Sequence, residues 1–113
     1  MLVIKNGTLI SMAGIYKEKY DVAVENGKIA KVEKEIVPGP EDTVIDAAGK
    51  LITPGFIEPH CHLGIIDADG QDGNEITGPI HPELRAIDAI DFHCSLFYRA
   101  LEAGVTTVAV GPG

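Results

Sequence analysis

His60 and His62 stand one residue apart at the end of an apolar run, within residues 54–64, PGFIEPHCHLG. Alternate side chains of a strand share a face, so both imidazoles project the same way, about 6.5–7 Å apart along the chain. Two rings so placed can tilt toward one cation and bind it at about 2.0–2.1 Å. Neutral imidazole suits zinc and other transition ions better than calcium or magnesium. Cys61 and Pro59 fall on the opposite face, where Cys61 packs as a small apolar group. Pro59 has no N–H to offer a neighbouring strand, so regular pairing should end beside it. The histidines would then occupy the carboxyl rim of a sheet, where α/β sites are built. The plain alternative is two ordinary histidines on a strand, because His-x-His is common by chance.

The elements around the pair read as a βαβ unit. Residues 55–66 are almost continuously apolar, as in a parallel strand buried on both faces. Residues 67–82 are rich in Gly, Pro and Asp and form a long loop of a kind that often carries function. Residues 91–104, DFHCSLFYRALEAG, read as a helix with Asp91 as N-cap and Gly104 just past its end. Leu96, Ala100 and Ala103 line one side of it, and its start could lie as early as Pro82. VTTVAV then restarts a strand at once.

Before Pro54 the pattern is β-rich. Asn6-Gly7 should turn LVIK onto TLIS, and Asn26-Gly27 should turn YDVAVE onto KIAKVEKEI, because both turn positions favour positive φ. In the second ribbon Val22, Val24, Ile29 and Val32 should face a core while lysines and glutamates stay wet. TVIDAAGKLITPG supplies a further strand-like piece after a loop at 38–43. The expected organisation is a β-rich segment at 1–53 followed by one βαβ unit at 54–113.

Composition narrows the function classes. The 113 residues suffice for one ordinary domain and fall well short of the about 250 of a large barrel. Charge is uneven: residues 1–57 carry seven Lys against eight acids, residues 58–113 two Arg against nine. An acidic surface repels phosphate, so nucleic acid and anionic membrane are poor partners and a cation is a good one. No apolar run reaches the about 18 residues of a membrane span, and MLVIKNGTLI lacks the basic start of a signal peptide. Two cysteines are too few for a disulfide scaffold, which points to a reduced, cytoplasmic chain.

GKLITPGFIEPHCHLG resembles the signature of the metal-dependent amidohydrolase superfamily, which includes imidazolonepropionases, dihydroorotases and adenine deaminases. Pro54, Gly55, Phe56, Ile57, His60, His62 and Leu63 match its Pro-Gly-Phe-Ile-Asp-x-His-x-His-Leu pattern, with Glu58 in place of the usual Asp. NGTLI, DVAVENGKIAKV and VIDAAGKLITPG are similar to the small β-sandwich that precedes the barrel, and ALEAGVTTVAVGPG to its first helix and second strand. The resemblance implies a β-sandwich-like segment followed by the opening βαβ unit of an incomplete TIM (β/α)8 barrel. It also implies one or two divalent metals, often zinc, with His60 and His62 as the first two ligands. The expected reaction is hydrolysis of a non-peptide C–N bond in a cyclic amide, amidine or N-acyl small molecule by metal-activated water. Later ligands and the proton-shuttling Asp fall beyond residue 113, so the chain reads as an N-terminal piece that binds metal weakly and is inactive alone. A rival expectation is a non-catalytic β-rich module that self-associates through unpaired strands and exposed apolar surface.

Lesser signals have ordinary readings. DADGQDGNE at 67–75 fails the EF-hand pattern, since Gln71 and Asp72 stand at its fifth and sixth positions. Asn74 and Glu75 in that loop are candidate substrate contacts. His81 reads as exposed, His93 lies early in the helix with no partner for a metal role, and Cys94 reads as core-facing; Arg85 could meet an anionic substrate group, its more ordinary role being an ion pair with Glu83 or Asp88. No catalytic Ser/His/Asp series, Cys-x-x-Cys or phosphate-binding glycine loop is present.

Overall fold

Alternating apolar residues in the first half of the chain build one sheet. The computed structural model describes residues 1–12, 14–66, 73 and 77–112, with 14–18 as backbone alone. It is mixed α/β, mostly strands, in two compact units, Met1–Pro54 and Gly55–Gly113.

The first unit holds β1 (Leu2–Ser11), β2 (Gly14–Glu25), β3 (Lys28–Glu33), β4 (Thr43–Asp46) and β5 (Leu51–Ile52). They form a single five-stranded sheet in the order β3-β2-β1-β4, with β5 also on β1. Among the described residues this is one layer, not the two facing layers of a sandwich. The reason is the length of β1, which pairs in parallel with β4 through Leu2–Lys5 and again with β5 through Thr8 and Leu9. A turn at 47–50, closed by Lys50 N–H to the Ala47 carbonyl at 2.9 Å, separates the two short strands.

Asn26-Gly27 makes the expected hairpin, with φ of 51° and 73° joining β2 to β3. Asn6-Gly7 does not turn the chain. β1 runs straight through it with a register shift between Ile4 and Gly7, and Asn6 sits at φ 63°. This is a β-bulge, and tertiary partners hold it. The Asp21 carboxylate accepts the Asn6 N–H at 2.9 Å, and the Asn6 side chain donates to Asp46 at 3.0 Å. The Ile52 side chain occupies the space a Cβ at position 7 would need, so a larger residue there would have to push it aside.

The core comprises Val3, Ala23 and Ile36, with Leu9, Val22 and Ala47 also buried. Ile29 and Val32, expected to share the buried face with Val22 and Val24, are exposed. β3 is the edge strand, and all of its residues are exposed.

In the second unit β6 (Phe56–Cys61) pairs in parallel with β7 (Val105–Val110). Between them lie a 3-10 turn, Ala86–Asp88, and α1 (Ser95–Glu102). Gly55 is required because a Cβ there would strike the Thr106 side chain. β6 is not buried on both faces as its composition suggests: Phe56 is 57% and Ile57 70% exposed. Only two strands stand in this unit among the described residues; α1 packs against β7 and leaves its valines half-buried, while most of β6 is exposed. The helix starts four residues after Asp91, which caps nothing; its carboxylate instead accepts the His93 N–H at 2.9 Å in a local turn. Gly104, at φ 89°, ends the helix as expected, its N–H bonded to the Leu101 carbonyl at 2.9 Å. No helix among the described residues is long and apolar enough to cross a membrane.

Candidate metal centre

His60 and His62 lie on the same side of the chain at the end of β6. Their ring centroids are 5.2 Å apart and the planes perpendicular. They line a small cavity of about 220 Å³ with Pro59, Cys61 and the 109–112 segment that follows β7.

Local chemistry explains the placement. β6–β7 pairing is irregular between Glu58 and Cys61, around Pro59, and resumes at Cys61 opposite Val110. Pairing is therefore interrupted at Pro59, not ended. The His60 N–H, out of the ladder, donates to Glu58 Oε1 at 3.0 Å across the proline. Cys61 is half-buried, its Sγ directed at the Ala109 carbonyl at 3.5 Å; it also borders the cavity, so the opposite face is not closed off from it.

The Gly111 N–H bonds the Cys61 carbonyl at 3.0 Å, which brings the next carbonyl against His62. His62 Nδ1 lies 2.6 Å from the Gly111 oxygen. A carbonyl only accepts, so Nδ1 carries the proton, and in the neutral ring Nε2 keeps its lone pair in the ring plane. This is the arrangement that orients metal-ligating histidines, the outer nitrogen held by a carbonyl so the inner one can coordinate. Behind His62, Gly64 sits at φ 81° and its carbonyl accepts the Asp91 N–H at 2.9 Å. A Cβ at Gly64 would lie 2.9 Å from both the Asp91 oxygen and the Phe97 ring. Gly64 thus lets the segment leading into α1 press against the base of the histidine loop.

The donor set fits half of a metal site. Two imidazoles on one side suit a transition ion, but no group of three or more His, Cys, Asp or Glu that could hold one occurs among the described residues. Asn74 and Glu75 lie outside the described residues. His81 is half-buried, not exposed: its Nδ1 donates to Glu83 Oε1 at 2.9 Å and its Nε2 lies 3.3 Å from Thr77 Oγ1. Arg85 makes a two-pronged bond to Asp88 at 3.0 and 2.8 Å, the ordinary role expected for it. His93 is exposed and Cys94 half-buried. Two contributors escape a sequence reading. The Gly111 carbonyl is backbone and has no residue-type signal. The His81–Glu83 pair has only an i, i+2 spacing, which is uninformative in a loop.

No family model matches the chain. Individual proteins do. Over 62 residues, 55% of this chain, it is 45% identical to a dihydroorotase of Aquifex aeolicus (strain VF5), covering 14% of that protein. Over 62 residues it is 47% identical to dihydropyrimidinase 1 of Caenorhabditis briggsae, covering 12% of it. The structure superposes along its whole length on an amidohydrolase from Thermotoga maritima MSB8, with TM-score 0.82 and 34% identity, covering 30% of that chain. Sequence and fold thus make this chain a relative of the amidohydrolases. It spans under a third of the solved relative and about an eighth of the two curated ones.

Proposed function

We propose that this chain is the part of a metal-dependent amidohydrolase that carries two of its metal ligands, His60 and His62. The reading assigns the chain to the opening βαβ unit of a TIM barrel, with further strands covering the apolar faces of β6 and β7. The observation that carries the proposal is the 2.6 Å contact between His62 Nδ1 and the Gly111 carbonyl, with the His60 ring 5.2 Å away. It leaves Nε2 of the neutral His62 ring as a lone-pair donor with a second imidazole nearby, as a coordinating histidine requires. In the reading, His60 and His62 hold one divalent ion, zinc being the one that suits their nitrogen ligands, and the complete enzyme holds one or two ions. The metal, when bound, would supply a water of lowered pKa and polarise the carbonyl of a cyclic amide or N-acyl small molecule, or the central carbon of an amidine, for C–N hydrolysis. Residues of this chain orient: Gly111 fixes the His62 tautomer, and Glu58 secures the backbone of His60. A catalytic zinc generally has three protein ligands, so the two here make the isolated chain a weak binder without turnover. The acidic balance of the second unit argues against nucleic acid and anionic membrane as partners, and the paucity of cysteine suits a cytoplasmic setting.

Zinc titration of the isotope-labelled chain, followed by the imidazole signals, tests this. Complete four-ligand sites bind with about 10–16 kcal/mol, so two ligands should give about half, a Kd on the order of micromolar to hundreds of micromolar. His60 and His62 should respond together, and H60A/H62A should abolish the response. Zinc at millimolar concentration leaving both rings unperturbed overturns the proposal.

A second reading has its own support. β6 and β7 pair only with each other among the described residues, and Phe56 and Ile57 are exposed, so copies of the chain could bury these surfaces against one another. Light scattering decides it: a concentration-dependent rise in mass supports self-association, and a monomer at high concentration removes it.

A further inference from the structure

The second unit has a cavity besides the histidine cleft. A chamber of about 520 Å³ is lined mostly by residues between 78 and 89, and Pro112 lines both this chamber and the cleft, so the two are neighbours. That volume lies in the range of small-molecule sites, which are mostly apolar with a few placed polar groups. The wall fits this description: Ile65, Leu84 and Ala86 supply apolar surface, and His81, Arg85 and Asp88 polar atoms.

The charges of the wall are already matched, and the remainder is negative. The Arg85 guanidinium is engaged on two nitrogens by Asp88, and the His81 Nδ1–H is given to Glu83. Two carboxylates therefore face one permanent cation. The wider unit has the same sign, nine acids against two arginines and no lysine. An anionic ligand would have to displace Asp88 from Arg85 and would meet Glu83 as well. A cationic ligand meets no such opposition.

We propose that this chamber binds the non-reacting part of the substrate, and that it selects an amide with a compact apolar group and a positive charge over its neutral and anionic counterparts. The proposal rests on the amidohydrolase reading for what becomes of the ligand; occupancy of the chamber does not depend on metal. Asp88 is the specificity-determining residue, because it cancels Arg85, the one permanent cation among the chamber's described lining residues.

Three probes that share an isobutyl group separate the charge effect: leucinamide, cationic at pH 6.5, N-acetyl-leucinamide, neutral, and N-acetyl-leucine, anionic. Each is titrated against the metal-free, isotope-labelled chain while the amides of Ile65, Leu84, Ala86 and Ala89 are followed. The expected order is cation, neutral, anion, with the anion about five-fold or more weaker than the cation. D88N, which releases Arg85 and removes one negative charge, should strengthen anion binding and weaken cation binding by a similar factor. Shifts outside the chamber, no shifts with any probe at tens of millimolar, an anion binding as well as the cation, or an order unchanged in D88N would each overturn the proposal. Zinc titration at His60 and His62 on the same sample reads the amidohydrolase proposal separately, so either can fail alone.

Discussion

Asp21 is the residue whose removal should matter most to the first unit. It is 2% exposed, and its carboxylate accepts N–H groups from Asn6 at 2.9 Å and Ile36 at 2.8 Å, with the Lys5 ammonium 3.1 Å away. It thereby holds the β1 bulge, the segment after β3 that brings Ile36 into the core, and a partly buried lysine. D21A leaves two backbone donors without their acceptor and the Lys5 ammonium without its counter-ion, held only by the Ile36 carbonyl at 2.6 Å. Breaking such a buried pair from one side costs about 3–5 kcal/mol, a large share of the about 5–15 kcal/mol that a domain commands. With a urea m-value of about 2 kcal/mol/M, the midpoint should fall by roughly 2 M. D21N retains one acceptor but presents an NH2 to a donor, and should cost about 2 kcal/mol. Far-UV circular dichroism gives the midpoints, and amide exchange at Val3 and Ala23 confirms that the first unit is the one affected. Midpoints of both variants within about 0.3 M of the parent would refute the account of Asp21 as the anchor. Acid supplies a further check. Burial opposes ionisation of Asp21, but the N–H groups of Ile36 and Asn6 and the Lys5 ammonium outweigh it and hold its pKa below the ordinary value. A depressed carboxylate stabilises fully above its unfolded pKa, about 3.9, and loses that contribution as pH falls through the lower folded value. Asp42 and Asp46 are also depressed, so the difference between parent and D21N isolates Asp21 and should shrink below about pH 4.

Other substitutions probe single contacts. G64A combines positive φ with crowding against Asp91 and Phe97, and should cost about 2–4 kcal/mol and loosen the turn below the histidines, read by amide exchange at Asp91. G27A has open space around it and bears only the backbone penalty, about 1 kcal/mol by urea denaturation. G7A should displace Ile52 and be partly rescued by I52V or I52A, and a double-mutant cycle with no coupling between positions 7 and 52 would refute that contact. H62A should lower zinc affinity more than H60A does, because only His62 has a carbonyl fixing its tautomer, which calorimetry can compare.

Local patterns carried much of this architecture. Asn26-Gly27, Gly104 and the 3.6-residue spacing in residues 95–102 were legible because turn and helix-end conformations depend on a few neighbouring residues. Asn6-Gly7 shows the limit. The same dipeptide makes a hairpin in one place and a bulge in another, and the difference lies in Asp21, Asp46 and Ile52, which are distant in sequence. Asp91 likewise has a capping residue's identity, yet its side chain closes a turn ahead of the helix. Burial was misread for Ile29, Val32 and Phe56, since composition reports what a strand can bury and not whether a neighbour stands over it.

For the candidate site, residue types and their alternation sufficed to pick His60 and His62 and to put both rings on one side, because side-chain direction in a strand is a property of the strand itself. Which nitrogen of His62 keeps its lone pair was decided by the Gly111 carbonyl, 49 residues away, and the chamber by Ile65, Pro112 and the segment between 78 and 89 coming together. A backbone oxygen has no letter in the sequence, and a cavity exists only once distant segments meet.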